Sequence, residues 1–105
     1  MNTITVNELY KQIPSLNSKS CIVDVRTNEE YHHAHITPSS HIPLDQLDEH
    51  LESLHDYDHI YFFCRSGNRS GKACQLLKPY LKATLYNIEG GILAWEDEGL
   101  PIVTP

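Results

Sequence analysis

Residues 60–78 read IYFFCRSGNRSGKACQLLK: four apolar residues run into Cys64, and a short polar turn with two arginines precedes a helical pattern. A turn that links a strand to a helix in so few residues must curl. Gly67 permits backbone angles that other residues resist, and Asn68 tolerates them better than most. A curled loop at a helix N-terminus points successive N–H groups inward and forms a nest for negative charge. The helix dipole, Arg65 and Arg69 act in the same direction. All favour thiolate over thiol, so Cys64 is expected to titrate well below the free value of about 8.5. The chemistry that follows is that of a nucleophilic thiolate in an anion cradle.

The other two cysteines read as packing. Cys21 opens a buried strand and Cys74 lies within an amphipathic helix. Cys74 sits roughly 9 Å or more along the helix axis from Cys64, beyond the ~7 Å limit for a disulfide. Three scattered cysteines support neither a disulfide framework nor a structural zinc site. His32, His33 and His35 fall at a helix end and loop with no paired cysteines nearby, and read as solvated rather than as metal ligands. No metal and no cofactor are expected.

The 105 residues suit one small domain, with 40% apolar and 21% charged residues as in ordinary globular chains. No apolar run approaches the ~20 residues of a membrane span, and the N-terminus, MNTITVNELYKQ, lacks the pattern of a secretory signal. A cytoplasmic location is expected. The net charge of −6 argues against nucleic acids and anionic membranes as partners. Yet no acidic residue lies between Asp58 and Glu89, where Arg65, Arg69, Lys72, Lys78 and Lys82 supply five of the eight basic residues. Lys78 and Lys82 suit a solvated helix face, whereas Arg65 and Arg69 flank the thiol and suit a small anion.

The elements that must hold this turn alternate. Residues 4–6 (ITV) predict a strand, Asn7 a helix cap, and Pro14 a stop. Residues 21–25 (CIVDV) predict a strand buried on both faces, and TNEEYHH a brief helix capped by Thr27 or Asn28. SHIP is a weak third strand. Leu44, Leu47, Leu51 and Leu54 predict one amphipathic helix with Asp48, Glu49 and Glu52 outside. HIYFFC is the central strand; Ala73, Leu76, Leu77 and Tyr80 mark the apolar face of the helix after it. TLYNI is a fifth strand, and GGILAWEDEG a closing helix stopped at Gly99. The fold class is therefore α/β: a five-stranded, mostly parallel sheet with helices on both faces. Ligands of such sheets sit beyond the carboxyl ends of the strands, where Cys64 and Arg26 both fall.

CRSGNRSGKA resembles the active-site loop of the rhodanese family, the single-domain sulfurtransferases. IVDVRTNEEY resembles that family's Asp-x-Arg segment, AHITPSSHIPLDQL its following loop and strand, and NIEGGILAWEDEGLPI its Gly-Gly-x-x-x-Trp closing segment. The four stand in the family's order and span residues 21–102. Where the family usually has Gly-His-Ile-Pro-Gly-Ala, this chain has Ala34-His35-Ile36-Thr37-Pro38-Ser39.

The resemblance implies a sulfur relay. Cys64 would take a sulfane sulfur from a donor such as thiosulfate, form a persulfide, and pass the sulfur to a thiophilic acceptor such as cyanide or a thiol. Backbone N–H groups of Arg65, Ser66, Gly67, Asn68 and Arg69 would cradle the sulfur, and the Arg65 and Arg69 side chains would bind the anionic donor. Asp24 and Arg26 would lie near the loop and order it, with Arg26 in reach of substrate. Ser70 would cap the helix, and Trp95 would pack. The partners implied are a small anionic sulfur donor and a thiol acceptor, such as a thioredoxin-like protein. The six residues from Cys64 to Arg69 separate this loop from the longer, wider thiol loop of the related cell-cycle phosphatases and arsenate reductases. A non-catalytic binding module of the family would usually lack the cysteine. A chain this small has little material to enclose a substrate, so an exposed site is expected.

Overall fold

The computed structural model describes residues 2–105. Five strands, β1 (Asn2–Ile4), β2 (Ser20–Asp24), β3 (Ser40–His41), β4 (His59–Phe63) and β5 (Thr84–Ile88), form one sheet in the order β1-β5-β4-β2-β3. All four pairings are parallel. The α/β expectation therefore holds, with a sheet that is wholly rather than mostly parallel.

Strand β4 is central, and its near-continuous apolar run follows from having a core on each face. Ile60, Phe62 and Cys64 pack with Ala73, Cys74 and Leu77 of helix α4 (Asn68–Leu77) on one side. Tyr61 and Phe63 pack on the other, with Leu9 of α1 (Val6–Gln12) and Trp95 of α5 (Gly91–Asp97). Trp95 is buried, and its indole N–H donates to the Pro101 carbonyl at 2.8 Å. Among the described residues no helix is long and apolar enough to cross a membrane.

Local predictions failed where a side chain bonded the backbone. Strand β1 covers residues 2–4 rather than 4–6, because Thr5 caps α1: its hydroxyl accepts the Glu8 N–H at 3.1 Å while the Glu8 carboxylate accepts the Thr5 N–H at 3.0 Å. Asn7 therefore lies inside the helix and is not its cap. Thr27 and Glu30 form the same reciprocal cap on α2 (Asn28–His33). The predicted helix over residues 44–54 is instead a 3-10 segment (Leu44–His50) followed by one α-turn, α3 (Leu51–Leu54). Its leucine pairs are each three residues apart, which a 3-10 repeat aligns as well as an α-helix does. Leu76 and Tyr80, assigned to the apolar face of α4, are 54% and 62% exposed; the buried face runs through Ala73, Cys74, Leu77 and Leu81.

Candidate active site

Cys64 follows the last residue of β4, and the helix α4 that begins at Asn68 is turned by Gly67 at φ 105°. Asn68, expected to share the unusual backbone, is already helical. The curl is held from outside by the start of α5. The Ile92 and Leu93 N–H groups donate to the carbonyls of Cys64 (2.9 Å) and Arg65 (3.1 Å). In a trans peptide the N–H points opposite the carbonyl. Anchoring those two carbonyls against α5 therefore turns the N–H groups of Arg65 and Ser66 toward the inside of the loop. Gly91 explains the close approach: a Cβ there would lie 2.2 Å from the Cys64 oxygen.

Inside the loop, the Gly67 N–H reaches Cys64 Sγ at 3.0 Å and Ser70 Oγ lies 3.2 Å from it. Burial pushes the thiol pKa up, but hydrogen bonds from the Ser70 hydroxyl and from the N–H groups of Ser70, Gly67 and Ser66 outweigh it, and the group sits below its ordinary value. The expected lowering is present, with hydrogen bonds rather than the two arginines as its main source. Burial alone raises Cys21 to about 12, and burial outweighs smaller opposing effects to raise Cys74 to about 11. Those two thiols stay protonated and inert.

Ser70 does not cap α4. Gly67 holds the N-cap position, and the Ser70 hydroxyl bridges Cys64 Sγ and the side-chain oxygen of Asn87. The loop of the site is exposed as expected, although Cys64 itself is 1% exposed. Its sulfur is drawn under its own loop by these bonds, while Arg65, Ser66 and Asn68 above it are exposed.

The arginines divide. Arg65 is exposed beside a shallow groove that also borders Glu29, Glu30, His33, Leu93 and Glu96. Arg69 faces Glu30, with Nη1–Oε1 at 2.6 Å and Nη2–Oε2 at 2.9 Å. Arg69 holds the Glu30 carboxyl down to about 2, with the Thr27 N–H assisting against a smaller effect of burial. Arg26 and Asp24 form a buried pair: Nε and Nη2 donate to the carboxylate, and Nη2 also reaches the Ala34 carbonyl at 2.6 Å. Arg26 is 3% exposed. Its guanidinium ties the end of β2 to the segment after α2, and the residue borders the same groove as Arg65. Asp24 pairs with Phe63 across β2 and β4, which sets this buried pair next to the start of the thiol loop.

Two residues of the site were not predicted. Glu30 was visible only as the third residue of a capping box. Asn87 is a polar residue near the end of strand β5, and its Nδ2 donates to the Gly67 carbonyl at 3.1 Å. Among the described residues, no group of three or more His, Cys, Asp or Glu could hold a metal ion.

Known proteins resemble this chain in sequence and fold. The family model "Rhodanese-like domain" matches residues 5–98. A rhodanese-like domain protein from Staphylococcus aureus is 36% identical, with a TM-score of 0.84 over 96% of this chain and 97% of that one. A sulfurtransferase of Allochromatium vinosum is 33% identical over 84 residues, 80% of this chain and 78% of that protein. The protein YrkF of Bacillus subtilis is 35% identical over 88 residues, 84% of this chain, and the chain spans only 48% of its length. The chain belongs to the rhodanese-like domain family.

Proposed function

We propose that this chain is a sulfurtransferase that moves a sulfane sulfur through a persulfide on Cys64. The observation that carries the reading is the thiol itself, held below its ordinary pKa by the Ser70 hydroxyl and loop N–H groups at the end of the central strand. The A. vinosum relative named a sulfurtransferase supports it.

With thiosulfate as donor, the Cys64 thiolate attacks the outer sulfur. A new S–S bond forms, the original S–S bond breaks, and its electron pair leaves on sulfite. The persulfide keeps one negative charge, which the inward N–H groups of the loop stabilise. A cyanide ion or thiolate then attacks the terminal sulfur, and the Cys64–sulfur bond breaks to restore the thiolate. Arg65, exposed at the rim, attracts the anionic donor; Asp24 and Arg26 keep the loop in place from below. A thiol acceptor borne by a thioredoxin-like partner suits a sulfur held under a loop whose outer residues are exposed. Three free cysteines suit a reducing compartment such as the cytoplasm.

Mass spectrometry of the intact protein before and after thiosulfate or polysulfide, without reductant, tests the reading. A gain of one sulfur atom, absent in Cys64→Ser and removed by cyanide, is expected. No gain with either donor overturns it.

A further inference from the structure

We propose that Asn87, on a strand outside the thiol loop, is a positioning residue that keeps the Ser70 hydroxyl on the Cys64 sulfur. It rests on Cys64 being the nucleophile and deepens that reading.

Asn87 spans two parts of the loop. Its Nδ2 donates to the Gly67 carbonyl at 3.1 Å, and its Oδ1 accepts the Ser70 hydroxyl. Gly67 and Ser70 are also the residues whose N–H and hydroxyl reach Sγ. Asn87 thus makes no hydrogen bond to the sulfur but holds two of the residues that do.

The grip matters because Ser70 sits inside a helix. A serine hydroxyl there tends to turn back and donate to a carbonyl three or four residues earlier, which for Ser70 means Gly67 or Ser66. Asn87 blocks that alternative twice. Its amide N–H and the Gly71 N–H together fill both acceptor positions of the Gly67 carbonyl, and its Oδ1 holds Ser70 Oγ in the rotamer that faces Sγ.

Proton counting shows how the three groups work together. With Cys64 protonated, S–H donates to Ser70 Oγ and the single Ser70 proton goes to Asn87 Oδ1. With Cys64 ionised, that same proton turns to the sulfur and Asn87 Oδ1 gives it up, a cost that by itself favours the thiol and that we take to be smaller than the gain from keeping Oγ within reach of the sulfur. Oγ need not move, so the nucleophile forms without loop rearrangement. The same swing in reverse returns the hydroxyl proton to Asn87 when the sulfur is protonated again.

The test is titration of the thiolate by its ultraviolet absorbance, in the wild type with the other cysteines replaced by alanine, in Asn87→Leu, in Ser70→Ala and in the double variant. Asn87→Leu raises the thiol midpoint about as far as Ser70→Ala, by roughly half to one pH unit, a three- to tenfold loss of thiolate at fixed pH below the midpoint. The double variant shifts no further than the larger single one, since both act through one hydroxyl. An unchanged or lowered midpoint in folded Asn87→Leu, or two shifts that simply add, overturns the proposal. Should the leucine variant not fold, the smaller and equally uncharged Asn87→Ala takes its place, with the same rise expected and the same results overturning the proposal. No sulfur donor is used, so this result is separate from failure of the persulfide test.

Discussion

Cys64 depends on a few atoms placed within about 3 Å of its sulfur, and single substitutions should separate their roles. Cys64→Ser leaves the fold intact and reduces sulfur transfer to the uncatalysed rate, because a hydroxyl at neutral pH is neither ionised nor able to form a persulfide; a thiocyanate-release assay reads this directly. Gly67→Ala tests the turn. A side chain at φ 105° is strained, and the left-handed penalty of about 1–2 kcal/mol should appear in denaturant unfolding alongside slower alkylation of Cys64. The cysteine, its glycine and the two arginines stood out in the sequence by type and spacing. The fate of each arginine did not, since the Glu30 that meets Arg69 lies 39 positions away.

At the scale of elements, the thiol loop is shaped as much by α5 as by its own residues. Gly91→Ala would put a Cβ 2.2 Å from the Cys64 oxygen and 2.6 Å from Arg65 backbone atoms. The start of α5 must then move away and release the two carbonyls it holds. We expect destabilisation of about 1–3 kcal/mol, as for other overpacked sites, and at least a tenfold loss of transfer rate. The rate should fall even at temperatures where circular dichroism shows the variant folded. The end of β2 behaves differently. Asp24→Asn leaves the buried Arg26 without its carboxylate, and removing one partner of a buried pair costs about 3–5 kcal/mol. Thermal unfolding checks this, and the loss should exceed that for Glu30→Gln, whose pair is about a third exposed.

The molecule as a whole responds to acid through the Glu30–Arg69 pair. The Glu30 carboxyl is depressed from 4.5 to about 2 in the folded chain. A depressed carboxyl contributes stability that is fully present above the unfolded value and is lost as pH falls through the folded one. The wild type should therefore lose stability between about pH 4.5 and 2, and Glu30→Gln should lose less over that window. Melting curves at several pH values show whether the two converge in acid. Salt weakens the same contribution, because the pair is partly open to solvent.

The sequence by itself determined the alternation of strands and helices, the thiol turn at the end of the most apolar strand, and the inert roles of Cys21 and Cys74. These are local matters: periodicity, β-branching and a glycine where the chain must curl all act within a few residues. It also carried the Gly-Gly segment before α5 as a pattern, without showing what the pattern was for. Only the tertiary structure decided that Gly91 admits the backbone of the thiol loop, that Ser70 faces sulfur and Asn87 rather than capping a helix, and that Arg26 and Arg69 face carboxylates. Those outcomes depend on which atoms a parallel sheet brings together from β2, β4, β5 and α5. Hydrogen bonds are decided by ångström-scale distances and directions, and contacts between segments so far apart leave no periodicity in the chain.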